Sequence, residues 1–311
     1  MARELLNARN KRLQDDEIRA IAAIVRDPVR FSRHILGHDP WSIAERILTA
    51  VATKRRVAVK ACHSSGKTFT AAEAALWWVM RYADGKVITT APTWTQVERL
   101  LWGEMRIAAA QSKISLPEVR KTQLDLEDGN FAIGLSTNEG VRFQGWHGGH
   151  ILIILDEAPG VLAEIYEAIE GIEAGGEVHI LLLGNPVVAA GPFYNAFTVD
   201  ADQWERFTIS AFDTPNLAGI PGDTISEKEA ALLALPDEAL DENVRPYLTT
   251  RRWVRDRLIV WKADHPKYTS RVLAQFPKQS EYSLVSLDWI ERAEAKRATS
   301  AALPVEAGVD V

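Results

Sequence analysis

Twelve consecutive residues, Val57-Ala58-Val59-Lys60-Ala61-Cys62-His63-Ser64-Ser65-Gly66-Lys67-Thr68, constrain this chain more than any other stretch. They read as a buried strand, a tight loop of small residues and the first turn of a helix. A phosphate chain needs such an arrangement. Successive backbone N–H groups and a helix N-terminus surround the oxyanions, a Lys ammonium reaches the terminal phosphates, and a Thr hydroxyl holds Mg²⁺. Ser64, Ser65 and Gly66 would form the cradle, Lys67 would neutralise phosphate charge, and Thr68 would bind the metal. The pattern G-x-x-x-x-G-K-[ST] opens on Gly, and Ala61 stands in that place. Taken alone, Gly-Lys-Thr at a helix start also occurs by chance, so the rest of the chain has to decide.

Net charge is −6 over 311 residues, which does not mark a nucleic-acid binder. Basic clusters nevertheless occur at Arg9–Arg12, Lys54–Arg56 and Arg251–Arg257. A fold can gather such clusters on one face for nucleic acid or leave them as solvated surface. A single cysteine excludes an internal disulfide framework, and no Cys/His metal cluster is visible. Neither a signal peptide nor an apolar run long enough to span a bilayer is seen, so the expected location is cytoplasmic.

Hydrophobic periodicity divides the chain. Residues 1–50 read as helical, with Ile18, Ile21, Ala22 and Val25 at helical spacing. Over 51–223, apolar strand candidates at Val57–Ala61, Lys86–Ala91, Ile151–Asp156, Val178–Gly184 and Arg206–Ser210 alternate with helical stretches at Thr68–Tyr82, Thr95–Ala110 and Val161–Gly171. Continuous apolar strands separated by helices predict an α/β fold whose mainly parallel sheet is covered on both faces. Lys121–Thr137 suggests a hairpin inserted before Ile151. Residues 224–300 read as a small helical C-terminal subdomain, and 301–311 as the start of something further.

Ile151-Leu152-Ile153-Ile154-Leu155-Asp156-Glu157 is an apolar strand that delivers two carboxylates at its C-terminal end, the edge where open α/β sheets bind ligands. Asp156 would hold Mg²⁺ opposite Thr68, and Glu157 would act as general base on the attacking water. The distance between the two signatures leaves room for an additional strand–helix unit. That layout predicts a P-loop NTPase of the additional-strand, RecA-like type, with ATP and Mg²⁺ as ligands.

These residues and the small motifs around them resemble the large subunit of tailed-bacteriophage terminases, the DNA-packaging motor. Asp39-Pro40-Trp41, Lys60 through Thr68, Thr90-Ala91-Pro92-Thr93-Trp94, Phe143-Gln144-Gly145, Ile153 through Ala158, Gly184-Asn185-Pro186 and Phe212-Asp213-Thr214-Pro215-Asn216 occur in family order over about 35–311. The resemblance implies that Trp41 contacts adenine, although Ser42 stands where the family often has Gln. A core aromatic is the competing reading for Trp41. It also implies that Lys60 supplements Lys67 on the phosphates, unless its stem merely snorkels from a strand edge. Asn185 would sense the γ-phosphate, or simply end a strand. Arg142 would be the arginine supplied in trans, or an ordinary surface residue.

The implied partners are double-stranded DNA, a homo-oligomeric ring on a portal protein and a terminase small subunit, in the host cytoplasm and without a membrane. Arg251, Arg252, Arg255 and Arg257 are candidate phosphate contacts. Gly308-Val309-Asp310-Val311 resembles the opening of the family's ribonuclease-H-like nuclease domain, so ATP hydrolysis without DNA cleavage is expected. A helicase-like or remodelling ATPase is the alternative, and a nucleotide-dependent assembly protein is a third reading.

Overall fold

In the computed structural model, residues 19–126, 129–136, 146–245, 247–277 and 293 are described. Seven strands form one sheet: β1 (Arg56–Ala61), β2 (Gly85–Thr90), β3 (Gln123–Asp125), β4 (Phe131–Gly134), β5 (His150–Leu155), β6 (Glu177–Gly184) and β7 (Glu205–Ile209). Their spatial order is β3-β4-β2-β5-β6-β1-β7, and all neighbours are parallel except the antiparallel pair β3–β4. The strand β6 therefore lies between β1, which runs into the phosphate loop, and β5, which ends at the acidic pair. It is the inserted strand of the sheet, although in sequence it follows both signatures, and the room between them is taken by β2, β3 and β4. The expected hairpin is present, but β4 also pairs with β2 from Lys86↔Phe131 to Thr89↔Gly134, so it extends the sheet.

Alternation along the strands splits the core in two. Val57, Val59, Ala61, Leu152, Ile154, Leu181 and Leu183 face a cluster containing Trp77, Trp78 and Trp102. Ala58, Ile151, Ile153, Leu155, Ile180 and Leu182 face a second cluster built on Ile165, Ile169 and Ile172. A strand buried on both faces has no polar positions to alternate, which is why these runs are continuously apolar.

The helix α1 (Ser42–Thr53) leads into β1, and α2 (Lys67–Arg81) follows the loop. Buried Ala71, Ala72, Ala74 and Ala75 let α2 pack tightly on the sheet, as expected of the strongest helix former. The predicted helix over 95–110 is interrupted: a π-helical turn, Val97–Leu101, precedes α3 (Trp102–Gln111). Between β5 and β6 runs α4 (Ala163–Glu173).

After β7 the chain builds a helical region with its own core. It comprises α5 (Ile225–Ala234), α6 (Arg251–Trp261) and α7 (Pro266–Arg271). Phe212, Leu217, Leu232, Val254 and Tyr268 cluster there with Cys62 from the phosphate loop. The arginines of α6 are used inside this region. Arg251 donates to the carbonyls of Asn216 and Ala239, Arg252 pairs bidentately with Asp241, Arg255 pairs with Asp237, and Arg257 lies 5.2 Å over the Trp261 ring. These arginines, considered as phosphate contacts from the sequence, brace the region internally: Arg252 and Arg255 through carboxylates of the preceding turns, Arg251 through backbone carbonyls and Arg257 through an aromatic ring.

Candidate nucleotide site

The segment from Cys62 to Thr68 is clamped on several sides. The Cys62 N–H donates to the Ile209 carbonyl, that of His63 to Arg271 and that of Thr249 to Ser64. Ser64 and Gly66 adopt φ of 51° and 82°, and Gly66 caps α2 in the left-handed conformation. A side chain at Gly66 would also meet Leu248 at 3.4 Å. Ala61 is accommodated without strain because it is still part of β1, paired with Ile209 and fully buried. The first Gly of the motif is dispensable where the strand runs one residue longer.

Two carboxylates meet this loop. Thr68 Oγ1 lies 3.1 Å from Asp156 Oδ2, and Lys67 Nζ lies 3.0 Å from Glu157 Oε1. Asp156 is 1% exposed, and burial pushes its pKa up to about 6, against the pull of Lys67. Burial opposes charge on Lys67, but the Glu157 and Asp156 carboxylates raise its pKa above the ordinary lysine value. A hydroxyl and a buried carboxylate oxygen side by side suit a hard cation that keeps several waters and takes phosphate ligands, as Mg²⁺ does. Among the described residues, no group of three or more His, Cys, Asp or Glu forms a metal cluster.

Glu157 sits at φ 50°, a left-handed position uncommon for a residue with a Cβ. The turn is held by Gly160 N–H to the Glu157 carbonyl (3.0 Å) and by Tyr166 OH to the Ala158 carbonyl (2.8 Å). It also rests on β6: a Cβ at Gly184 would fall 2.3 Å from Pro159 Cδ. Beyond Gly184, the Asn185 side-chain amide donates to the Ala61 carbonyl. That amide joins the inserted strand to the root of the phosphate loop.

A cavity of about 790 Å³ opens over the loop, bounded by Ser64 through Phe69 and by His38, Gln111, Arg245 and Tyr247. Of the expected site residues, Lys60, Trp41, Asn185, Asp156 and Glu157 do not line it. Lys60 projects from the other face of β1, since Val59 and Ala61 face the cluster that contains α2. Its ammonium lies 5.3 Å from the Phe197 ring centre and 5.1 Å from that of Phe276. Pleat parity therefore removes it from the phosphates. Trp41 is 9% exposed, packs in the core and does not line the cavity, although a Cβ at Gly66 would come within 3.9 Å of its indole nitrogen. Arg142 lies outside the described residues, as do Phe143-Gln144-Gly145 and Gly308 through Val311.

The sequence reading missed Arg245, Tyr247, His38 and Gln111. Arg245 is bound to the Asp39 carboxylate at 2.9 Å and to Tyr247 OH at 2.8 Å. Asn216 holds the segment carrying it: its Oδ1 accepts from Arg245 N–H, and its amide donates to the carbonyls of Arg245 and Thr249. Asn216 was visible within Thr214-Pro215-Asn216. The residues it gathers carry no local signal.

The fold and the loop geometry together define a P-loop NTPase of the RecA-like, additional-strand class. A family model for "Terminase large subunit, T4likevirus-type, N-terminal" matches residues 61–168. A curated relative, the probable large terminase subunit of Enterobacteria phage P7, is 24% identical over 300 residues, which cover 91% of this chain and 55% of that protein. The chain thus spans about half the length of that relative. Among solved structures, a point mutant of the Thermus phage P74-26 large terminase ATPase domain aligns with a TM-score of 0.51 at 15% identity, covering 78% of this chain and 97% of that one. The large terminase of a thermophilic bacteriophage, solved with ADP, aligns with a TM-score of 0.52 at 12% identity, covering 76% and 53%. The chain matches terminase large subunits in family model, in curated relative and in fold.

Proposed function

We propose that this chain hydrolyses ATP to drive double-stranded viral DNA into a procapsid, as the motor part of a terminase large subunit. The observation that carries the proposal is the meeting of Lys67 and Thr68 with Glu157 and Asp156 across the inserted strand β6. The backbone of Ser64 through Gly66 and the N-terminus of α2 cradle the triphosphate. Lys67 leaves Glu157 to neutralise the phosphates, which frees Glu157 to orient and deprotonate the attacking water. Thr68 and Asp156 would hold Mg²⁺, which when bound neutralises charge on the phosphate oxygens.

Asn185 links β6 to Ala61, and Thr249 links the helical region to Ser64, so a shift of the loop on phosphate release reaches both elements. That coupling is the means by which turnover would move DNA gripped through its backbone. The match of residues 61–168 to the terminase large-subunit family model favours this reading over a helicase-like enzyme, whose RecA-like fold would be the same. The domain division at 51–223 and 224–300, the ring on a portal protein, the small-subunit partner and the host cytoplasm belong to the same proposal, as does Arg142 acting from a neighbouring subunit.

The test is phosphate release with Mg²⁺-ATP. Lys67→Ala is expected to lower kcat/KM by about a hundredfold or more, since a charge-assisted contact to the phosphates is removed. Unchanged turnover would refute the assignment. Arg142→Ala and Glu157→Ala subunits, mixed, should recover activity that neither has alone; absence of recovery would remove Arg142 from the mechanism.

A further inference from the structure

A buried carboxylate on α2 reaches the cavity through two neighbours. Glu73 is 2% exposed in an otherwise apolar core, where an unpaired charge is costly. It accepts from Ser32 Oγ at 2.6 Å and lies 2.9 Å from His38 Nδ1. A carboxylate only accepts, so Nδ1 of His38 carries a proton. That contact turns the ring so that Nε2 lies 3.1 Å from Gln111 Oε1. The His38 pKa is raised: burial works against the charge, but the hydrogen bonds to Glu73 and Gln111 outweigh it. With Gln111 Oε1 turned to His38 Nε2, the Gln111 NH₂ group is left for the cavity that the residue lines.

The same wall has an apolar surface. Phe69, next to Thr68, packs its ring 4.7 Å from that of His38. Ile107, one turn before Gln111 on α3, lines the cavity although it is 49% exposed. An apolar surface beside a fixed amide donor, in the cavity that the phosphate loop borders, suits a flat heteroaromatic ring. Trp41 and Ser42, where base recognition was expected, do not line this wall.

We propose, resting on the nucleotide-binding reading above, that Gln111 reads the base of the bound nucleotide, with His38 and Glu73 as positioning residues. The NH₂ group donates to the Watson–Crick edge, where adenine N1 accepts and guanine N1–H would oppose it. The expected preference is for ATP over GTP.

The experiment measures KM and kcat for ATP and GTP, with thermal melting of each variant as the check on folding. Gln111→Ala should raise KM for ATP by about three- to tenfold at unchanged kcat, the loss expected for one hydrogen bond, and leave KM for GTP nearly unchanged. Gln111→Glu, which presents an acceptor in place of the donor, should shift the preference towards GTP. His38→Asn should erode the ATP:GTP ratio without abolishing turnover, which a purely structural role would not do. Wild-type melting temperatures combined with an unaltered ATP:GTP ratio in all three variants would overturn the inference. If the wild type binds ATP in a Lys67-dependent way while its base preference ignores Gln111, this inference alone fails. Binding of neither triphosphate would overturn the nucleotide reading as well.

Discussion

Replacing Glu157 separates binding from chemistry, because this residue holds the lysine that the phosphates need. Lys67 Nζ and Glu157 Oε1 are 3.0 Å apart, with side chains 11% and 28% exposed. At an effective dielectric of about 20, two unit charges at that separation attract by roughly 5 kcal/mol. Desolvation offsets most of this, leaving a net pairing of about 1 kcal/mol in a partly buried setting. A triphosphate must displace that pairing before Lys67 can serve it. Glu157→Gln keeps the size of the side chain and removes the competing charge. The expected result is ATP binding tighter by about three- to tenfold, as 1.4 kcal/mol corresponds to a factor of ten. Turnover should fall by about a hundredfold or more as the general base is lost. Calorimetric titration with a non-hydrolysable analogue reads the first quantity, and phosphate release reads the second. Weaker binding in Glu157→Gln would show that the carboxylate assists nucleotide entry, and the reasoning would fail. Unchanged binding together with unchanged turnover would remove Glu157 from the site altogether.

Three further outcomes follow from the same geometry. Tyr166→Phe removes the hydrogen bond to the Ala158 carbonyl, so it should cost about 1 kcal/mol of stability and lower kcat more than it changes KM; an unaltered kcat would separate Tyr166 from the turn that carries Glu157. Gly184→Ala places a Cβ 2.3 Å from Pro159 Cδ and should destabilise by about 1–3 kcal/mol, seen as a lower thermal midpoint; a wild-type midpoint would contradict the close approach. His38 has a folded-state pKa above its ordinary 6.5, so its pairing with Glu73 stabilises fully below that value and is lost as pH rises through the folded-state pKa. The stability gap between wild type and Glu73→Gln should therefore shrink as pH rises above about 6.5, and a gap that widens would reverse the assignment.

Most of the sheet was legible in the sequence because its strands are short, the central β5 and β6 are almost continuously apolar, and helical stretches separate most of them. The five expected strands recur within one residue at either end. The break in the helix over 95–110 was not legible: a π-helical turn leaves apolar residues at nearly helical spacing, and Val97 and Leu101 remain buried. Arg252 and Arg255 were ambiguous for a different reason. A run of arginines has the same composition whether it faces solvent, nucleic acid or the acidic residues of Asp237–Asp241.

Local sequence alone determined that a strand must turn sharply into a helix at Gly66-Lys67-Thr68, and that another strand must deliver Asp156 and Glu157 at its end. Both follow from backbone constraints and hydrophobic continuity over a dozen residues or fewer. Only the tertiary structure decided what shares the cavity with the phosphate loop. Lys60 was turned away by the pleat of its own strand, Trp41 was absorbed by the core, and Arg245 and Gln111 arrived from segments far apart in the chain. A pocket wall is set by how helices and loops pack around the sheet, and no short-range pattern in the residues encodes that packing.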